Sequence, residues 1–315
     1  MTYNQLWHSL TSIYDEGEAK AIVRTVLDVV FGLSMADVCS GKVTQLSEEE
    51  CSLLEEMMHR LQKCEPVQYV TGVARFGGRT FRVRPGVLIP RPETEELCHR
   101  ISSILRAEVI MRHPPLAMNP SESQDIRPDR INLLDIGTGS GCIATTLALD
   151  CPETAVTAWD LSSAALTVAR ENAERLGARV HFVRQDALNP PPDRDRWDVI
   201  VSNPPYICRR EQASMHRNVT DYEPEMALFV PDEDPLRFYR AISGYATEAL
   251  RAGGLLCFEI NPRYWADIAD MLSALGFTDV EVGKDAFGHE RFVIGRRRKD
   301  DLTTDKDRPG QGGNN

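Results

Sequence analysis

Several residue patterns are missing from the sequence, and each absence excludes a class of protein. The eight cysteines are scattered without a C-x-x-C pair, which argues against a zinc site and against a disulfide scaffold. No stretch approaches the ~18 consecutive apolar residues of a membrane-spanning helix. The first residues contain no basic segment followed by an apolar run, so we expect no signal peptide. These absences predict a cytoplasmic protein with reduced thiols that holds no metal and contacts no membrane.

Positive charge is also scarce. The 315 residues carry a formal net charge of −11, from 36 Lys and Arg against 47 Asp and Glu. Proteins that hold DNA or RNA by its phosphates usually present a basic surface, so direct nucleic-acid binding is not expected. The charge fits a protein or small-molecule substrate. A hydrophobic fraction of 42 % over this length predicts one large or two modest globular domains, and we expect a monomer.

The first 68 residues are predicted to form a small helical bundle domain. Apolar residues recur at helical spacing from Leu6 to Tyr14 and from Ile22 to Phe31. A third helix is predicted to start at Ser47, because Glu50 completes a capping box three residues later. The predicted apolar stripe of that helix comprises Leu53, Leu54, Met57, Met58 and Leu61.

Residues 69–91 read as a β-hairpin linker. Glycines separate short β-like runs there, including 80–83 and 87–89. A helix is predicted to begin at Pro92 and to reach about residue 111, since proline suits the first helical turn and acidic residues follow it. The proline-rich stretch 113–130 predicts a flexible surface loop.

The remainder, as part of a domain spanning 92–295, alternates apolar strand-like runs with helical segments. Strands are predicted at 131–135, 155–160, 179–183, 197–202, 254–260, 278–283 and 290–295, and helices at 141–149, 162–176, 235–251 and 263–275. This alternation is typical of an α/β fold with a mainly parallel sheet and helices on both faces. The last two strands should be antiparallel, because their connection is too short for a parallel crossover. Residues 296–315 are predicted to be disordered.

A glycine-rich turn follows the first of these strands. It contains the predicted cofactor-binding residues Asp135, Gly137, Thr138, Gly139, Ser140 and Gly141. The spacing is G-x-G-x-G, and Cys142 stands where a dinucleotide fingerprint has its third glycine. The Asp135 carboxylate would repel a pyrophosphate, but it can pair with an ammonium, directly or through water. The turn therefore favours S-adenosyl-L-methionine over a dinucleotide such as NAD.

Two further acids end neighbouring strands and complete the predicted nucleoside site. Asp160 is placed to accept both ribose hydroxyls, although this feature alone does not separate NAD from S-adenosylmethionine. Asp186 is placed to bond an adenine amino group. Leu161 and Ala187, which directly follow these acids, are included in the predicted cofactor contacts.

The fourth strand ends in the tetrapeptide Asn203-Pro204-Pro205-Tyr206, which we predict to be catalytic and substrate-binding. The Asn203 side-chain oxygen and the Pro204 carbonyl can each accept one N–H of a planar –NH2 group, which fixes the nitrogen in line with a methyl donor. These acceptors also favour the positive charge that develops during attack. Tyr206 can stack on the planar target. The tetrapeptide alone suits adenine N6, cytosine N4 or a glutamine side-chain amide.

The choice among these nitrogens rests on a resemblance over residues 1 to about 295. The chain resembles the protein-(glutamine-N5) methyltransferases of class-1 peptide chain release factors, the PrmC/HemK family. The matching stretches are 65–72, Pro90-Arg91-Pro92-Glu93-Thr94-Glu95 with the residues just before it, the glycine-rich turn, Asp160, 203–207, Tyr222-Glu223-Pro224 and 291–295.

The resemblance implies a Rossmann-like, seven-stranded class I methyltransferase domain that methylates the glutamine of a Gly-Gly-Gln motif with S-adenosyl-L-methionine. By position, Gly137 to Gly141, Asp160 and Asn203 would bind the cofactor, and Asn203 to Tyr206 would bind the glutamine. The N-terminal bundle would dock the release factor, with Arg91 and Glu93 near the substrate channel.

Two positions depart from the family pattern. A bulky residue often stands where this chain has Ala187, and glycine commonly stands where it has Asn261. They affect local fit rather than the type of reaction. The main rival prediction is a nucleic-acid adenine-N6 methyltransferase, which the net charge and the 90–95 segment disfavour. A catalytically idle cofactor-binding module and an NAD oxidoreductase are weaker rivals, which the tetrapeptide and the glycine-rich turn respectively disfavour.

Overall fold

The N-terminal residues fold as the helical bundle that their apolar spacing predicts. The fold is seen in a computed structural model, which describes residues 1–112, 130–285 and 287–298. Its first helices are α1 (Tyr3–His8), α2 (Glu16–Phe31), α3 (Met35–Cys39), α4 (Glu48–Gln62) and α5 (Val67–Thr71). The predicted capping box is present, since Glu50 N donates to Ser47 Oγ and Ser47 N donates to Glu50 Oε2.

The bundle core is apolar, with one error in the predicted stripe of α4. Leu54, Met57, Met58 and Leu61 are buried in it. Leu53 is 41 % exposed, so its assignment to the stripe was wrong. Neighbouring residues on a helix point about 100° apart, and the face set by the other four leaves position 53 outside the buried side of the helix.

A β-hairpin follows the bundle, formed by β1 (Val73–Phe76) and β2 (Arg79–Arg82) in antiparallel register. The prediction of a second β-run at 87–89 was wrong. Side chains rather than a neighbouring strand bond this backbone: Tyr69 Oη donates to the Val87 carbonyl at 2.7 Å, and Ile89 N donates to Glu223 Oε2 at 3.1 Å.

The larger part of the chain alternates strands and helices. Its elements are α6 (Pro92–Arg112), β3 (Ile131–Ile136), α7 (Cys142–Asp150), β4 (Thr154–Asp160), α8 (Ser163–Leu176), β5 (Val180–Arg184), β6 (Trp197–Ser202), β7 (Ile207–Cys208), α9 (Arg217–Thr220), α10 (Glu225–Leu228), β8 (Phe229–Val230), α11 (Arg237–Ala249), β9 (Leu250–Glu259), α12 (Trp265–Ala274), β10 (Phe277–Lys284) and β11 (Glu290–Arg297). The predicted loop at 113–130 lies outside the described residues except for its last residue. The predicted tail begins two residues too early, because β11 continues to Arg297.

The central sheet has seven strands in the order β10-β11-β9-β6-β3-β4-β5. Strands β9, β6, β3, β4 and β5 are mutually parallel, and β11 runs antiparallel to both of its neighbours. Both faces are covered: Leu133 of β3 packs into one core cluster, and the next residue, Leu134, packs into the other. Burial on both faces explains why the central strands read as continuous apolar runs.

Residues 207–230 form a small cover over the carboxyl ends of the central strands, which the sequence did not predict. The two-residue strands β7 and β8 pair in parallel, with Ile207 opposite Phe229. The short helices α9 and α10 lie between them along the chain. Among the helices of the described ranges, none combines the length and the apolar character that a membrane span requires.

Candidate active site

The predicted site residues converge at the carboxyl ends of β3, β4 and β6. The chain leaves β3 toward β4 on one side and returns through β6 on the other, so the strand order reverses beside β3. Open α/β sheets bind ligands in the crevice at such a point. A cavity lies there, bounded by the glycine-rich turn, the ends of β4 to β6, the segment 86–94, and residues 224–227 of the cover.

The glycine-rich turn forms one wall of the cavity. The N–H groups of Gly137 and Thr138 both donate to the Trp159 carbonyl at 2.9 Å, which holds the turn against the end of β4. Gly139 has a φ of +56°, and a Cβ on it would meet no atom within 4 Å. This open, left-handed position lets the backbone approach a ligand closely. Gly137, Thr138, Gly139 and Ser140 line the cavity.

Gly141 has a packing role instead. Its φ is +80°, and a Cβ there would lie 3.0 Å from Ala169 Cβ and 3.1 Å from Ala169 Cα of α8. Within the described residues the cavity lining does not include it. This glycine allows the start of α7 to pack closely against α8. That packing orients the turn from the side away from the cavity.

Asp135 is fully buried beneath the turn and is likewise outside the described lining. Its Oδ2 accepts from Thr138 Oγ1 at 2.6 Å and from Ala144 N at 3.2 Å, while Oδ1 has no hydrogen-bond partner among the described residues. Burial raises the pKa of this carboxyl to about 7. A buried acceptor without a partner is costly, and an ammonium held through water is a chemistry that would satisfy it.

Asp160 lies at the end of β4 and lines the cavity. Its Oδ2 accepts from Gly139 N at 2.9 Å and its Oδ1 from Ser162 N at 2.8 Å. Each carboxylate oxygen can accept a second hydrogen bond, so both remain able to receive a ribose hydroxyl. Leu161, beside it, is 46 % exposed and forms an apolar part of the rim.

Asp186 and Ala187 also line the cavity. The Asp186 carboxylate is already engaged locally, since Oδ1 accepts from Leu188 N at 2.9 Å and Oδ2 from Asn189 Nδ2 at 2.8 Å. This pattern stabilises the strand-end turn and leaves one acceptor site on each oxygen. Ala187 is partly buried against the second core cluster and presents a small apolar surface.

The tetrapeptide follows β6, the strand beside β3, and therefore lies next to the glycine-rich turn at the sheet edge. Asn203, Pro204 and Pro205 line the cavity, whereas Tyr206 does not belong to its described lining. The Tyr206 ring packs against the second core cluster, and its hydroxyl donates to Glu259 Oε1 at 3.2 Å. Burial raises the pKa of this phenol far above its usual range, so it stays protonated.

Sequence reasoning assigned no role to Thr94 or Glu259, which connect to the tetrapeptide. Glu259 is buried at the end of β9 and accepts from both Thr94 Oγ1 and Tyr206 Oη. Asn203 Nδ2 donates to Thr94 Oγ1 at 3.3 Å. The only signal in the sequence was that Glu259 is an acid at the end of an apolar strand. That signal predicts a position at the edge of the site, but it does not predict which residues Glu259 contacts.

The two residues predicted for the substrate channel have different environments. Arg91 lines the cavity, and its Nη2 lies 2.6 Å from Glu223 Oε1, whose side chain is 1 % exposed. Glu93 lies on the first turn of α6, half-buried and outside the described lining. Burial is the main cause that raises the pKa of Glu259, and the hydrogen bond to Asp285 the main one that raises the pKa of Arg291; the negative charge of Glu93 adds to both.

Fold and cavity together define a class I, S-adenosyl-L-methionine-dependent methyltransferase. The open face of Gly139, the spare acceptors of Asp160 and the unsatisfied oxygen of Asp135 fit a nucleoside joined to an amino acid. Family models agree in two parts of the chain: residues 4–72 match the PrmC N-terminal domain, and residues 123–221 match the methyltransferase small domain.

Relatives identify the family more narrowly. The chain is 45 % identical to a release factor glutamine methyltransferase of Bacteroides thetaiotaomicron, over 92 % of this chain and 96 % of the relative. It is 34 % identical to one of Flavobacterium psychrophilum, over 92 % and 95 %. A solved release-factor-specific protein-(glutamine-N5) methyltransferase from Alicyclobacillus acidocaldarius is 29 % identical, covers 69 % of this chain and 99 % of its own, and has a TM-score of 0.37. The chain belongs to the release factor glutamine methyltransferase family, which confirms the predicted resemblance, fold class and cofactor.

Proposed function

We propose that this enzyme methylates the side-chain amide nitrogen, N5, of the glutamine in the Gly-Gly-Gln motif of class-1 peptide chain release factors. The observation that carries the proposal is that Asn203 and Pro204, which supply the two acceptors for a planar –NH2 group, both line the cofactor cavity. Family membership favours a protein glutamine over a nucleobase, since the relatives are named for release factors.

The chemistry follows from the weak nucleophilicity of an amide nitrogen. Asn203 Oδ1 and the Pro204 carbonyl would each accept one N–H, which aligns the nitrogen and stabilises the charge it gains. When bound, S-adenosyl-L-methionine supplies an electrophilic methyl group on its sulfonium. Its carbon–sulfur bond would break as the nitrogen–carbon bond forms, and the product nitrogen, held by Asn203 and Pro204, would then release a proton to solvent. No strong base is needed at the site.

We assign the remaining site residues from their places around the cavity. Cofactor contacts are proposed for Gly137, Thr138, Gly139, Ser140, Asp160, Leu161, Asp186, Ala187 and Asn203. Asp135 and Gly141 are proposed to support the cofactor turn from below, and Asp135 to reach the cofactor's ammonium only through water. Pro205 and Arg91, which line the cavity, are proposed to bound the glutamine. Tyr206 and Glu93 lie outside the described lining, and Tyr206 is proposed to support the tetrapeptide through its hydrogen bond to Glu259.

We further propose that residues 1–68 form a docking domain for the release factor, joined by the hairpin linker 69–91 to the catalytic domain 92–295. Direct contacts tie the bundle to the cover of the site: Tyr222 Oη donates to the Lys63 carbonyl at 2.7 Å. A substrate bound on the helices would therefore lie next to the cavity mouth. Because it would act on the translation machinery, we propose that the enzyme is cytoplasmic, and that it acts as a monomer.

A labelling experiment tests the proposed function. The protein is mixed with radiolabelled S-adenosylmethionine and either a class-1 release factor, the same factor with its Gly-Gly-Gln glutamine replaced, or DNA. We expect label only on the unaltered factor. Label on DNA or on the altered factor would contradict the proposal.

Asn203→Ala should lower the transfer rate by about 100-fold or more, while the Kd for the cofactor changes far less. The matched control is Asn132→Ala near the amino-terminal end of β3, whereas the cavity lies at the carboxyl ends of the strands. This variant should leave the rate unchanged. Equal losses of transfer and cofactor binding in Asn203→Ala would show that its main role is to hold the cofactor.

A further inference from the structure

A chain of hydrogen bonds runs from the tetrapeptide through Thr94, which also lines the cavity, to the buried end of β9. It links Asn203 Nδ2 to Thr94 Oγ1 at 3.3 Å, Thr94 Oγ1 to Glu259 Oε2, and Glu259 Oε1 to Tyr206 Oη at 3.2 Å. Thr94 and Glu259 are both 2 % exposed. The chain thus joins the first turn of α6, the end of β9 and both ends of the tetrapeptide.

The direction of these bonds follows from the number of protons available. When Glu259 is ionised, both of its oxygens only accept, so the single proton of the Thr94 hydroxyl is donated to Oε2. Thr94 Oγ1 then has only its lone pairs left, and these can accept a hydrogen bond but cannot donate one. The neighbouring amide of Asn203 therefore turns its Nδ2 toward Thr94, and its oxygen is left for the cavity.

The orientation of this amide matters to the reaction. With Oδ1 toward the cavity, Asn203 accepts an N–H from the target nitrogen. With the amide turned by 180°, its own –NH2 would face the substrate –NH2, and two donors would oppose each other. Nothing in the tetrapeptide itself distinguishes the two orientations, because an amide has nearly the same shape in both.

We propose that Thr94, anchored by Glu259, is a positioning residue that locks the Asn203 amide with its oxygen toward the target nitrogen. This inference rests on the proposed function, because it assumes an –NH2 substrate. Thr94 suits the task, since a β-branched side chain has restricted rotamers and its backbone N–H is fixed by the Arg91 carbonyl at 3.1 Å. Tyr206 holds the other oxygen of Glu259, so the carboxylate cannot rotate away from Thr94.

The first test compares Thr94→Val with Thr94→Ser in single-turnover methylation of a release factor, with enzyme in excess. Valine keeps the shape and loses the hydroxyl, so the productive orientation leaves Asn203 Nδ2 without an acceptor. We expect the rate to fall roughly 5- to 100-fold, with the Kd for S-adenosylmethionine unchanged within about twofold. Serine retains the hydroxyl and should keep the rate within about threefold of the unaltered enzyme.

A double-substitution cycle separates amide orientation from a general packing effect. In Asn203→Asp both terminal atoms are oxygens, so no orientation has to be chosen. Thr94→Val should therefore lower the rate by less than about threefold when it is added to N203D. The same substitution should lower the rate much more in the enzyme that keeps Asn203.

The outcomes distinguish this inference from the proposed function. If the unaltered enzyme does not label the release-factor glutamine, the proposed function fails. If it does, the positioning role is overturned by any of three results: T94V at the unaltered rate, T94S as slow as T94V, or the same loss from T94V in both backgrounds. A loss that is confined to the Asn203 background and restored by serine supports it.

Discussion

Arg91 offers a test that separates a structural role from a substrate-binding role. Its guanidinium lies 2.6 Å from the Glu223 carboxylate, whose other oxygen accepts Ile89 N at 3.1 Å. The pair joins the segment before α6 to the cover formed by residues 207–230, and both elements border the cavity. Replacing Arg91 by methionine removes the charge while keeping much of the side-chain length.

The expected cost follows from the burial of each partner. Removing one member of a buried ion pair costs about 3–5 kcal/mol, because the other charge is left uncompensated. Glu223 is 1 % exposed at its side chain, but Arg91 is 31 % exposed, so water already screens part of the interaction. We therefore expect Arg91→Met to lower the free energy of unfolding by about 2–3 kcal/mol. At roughly 2 °C per kcal/mol for a chain of this size, Tm should fall by about 4–6 °C.

Thermal unfolding and single-turnover methylation of a release factor measure the two roles on the same samples. Arg75→Met is the matched control: Arg75 lies 3.0 Å from Asp28, but the side chains are 79 % and 55 % exposed. Exposed pairs contribute about 0–1 kcal/mol, so its Tm should hardly change. Adding Glu223→Gln to Arg91→Met removes the uncompensated charge and should restore most of the stability.

Two results would refute this reasoning. An Arg91→Met enzyme within about 0.5 kcal/mol of the unaltered one would show that the pair contributes no stability. Activity that stays low after the double substitution has restored Tm would show that Arg91 contacts the substrate, as the resemblance implied. Activity that returns together with Tm assigns Arg91 to holding the cover.

Two further predictions concern the cofactor turn. Gly141→Ala should destabilise the protein by about 2–4 kcal/mol, because it combines left-handed strain with a 3.0 Å contact to Ala169, whereas Gly139→Ala should cost only the strain, about 1–2 kcal/mol. Equal losses in urea unfolding would contradict the packing role of Gly141. Asp135 binds its proton more tightly in the folded state, with a pKa of about 7 against 3.8, so its contribution to stability is lost as pH rises from about 4 to 7. As pH rises from 5 to 8, the difference in free energy of unfolding between Asp135→Asn and the unaltered protein should therefore shift by roughly 3 kcal/mol in favour of the variant. A difference that does not change with pH would contradict the raised pKa.

Much of the fold could be predicted because its signals are local. Apolar spacing and the capping box at Ser47 indicated the N-terminal helices, and continuous apolar runs indicated the strands of the central sheet. The glycine-rich turn and the tetrapeptide were each predicted to follow the end of a strand, and they border one cavity. Predictions failed where the local pattern was ambiguous, as for Leu53 beside the stripe of α4 and for the run at 87–89.

The sequence by itself determined the strands of the central sheet, the type of cofactor and the two loops, the glycine-rich turn and the tetrapeptide, that border it. The tertiary structure alone decided which side chains support those residues: Thr94 contacts Glu259 across 165 positions of sequence, and Arg91 contacts Glu223 across 132. Such pairs cannot be recognised from the sequence, because the residues next to each partner show no pattern that points to the other. Only the strand order of the sheet, with β9 beside β6 and α6 packed over them, brings Thr94 and Glu259 within hydrogen-bonding distance behind Asn203.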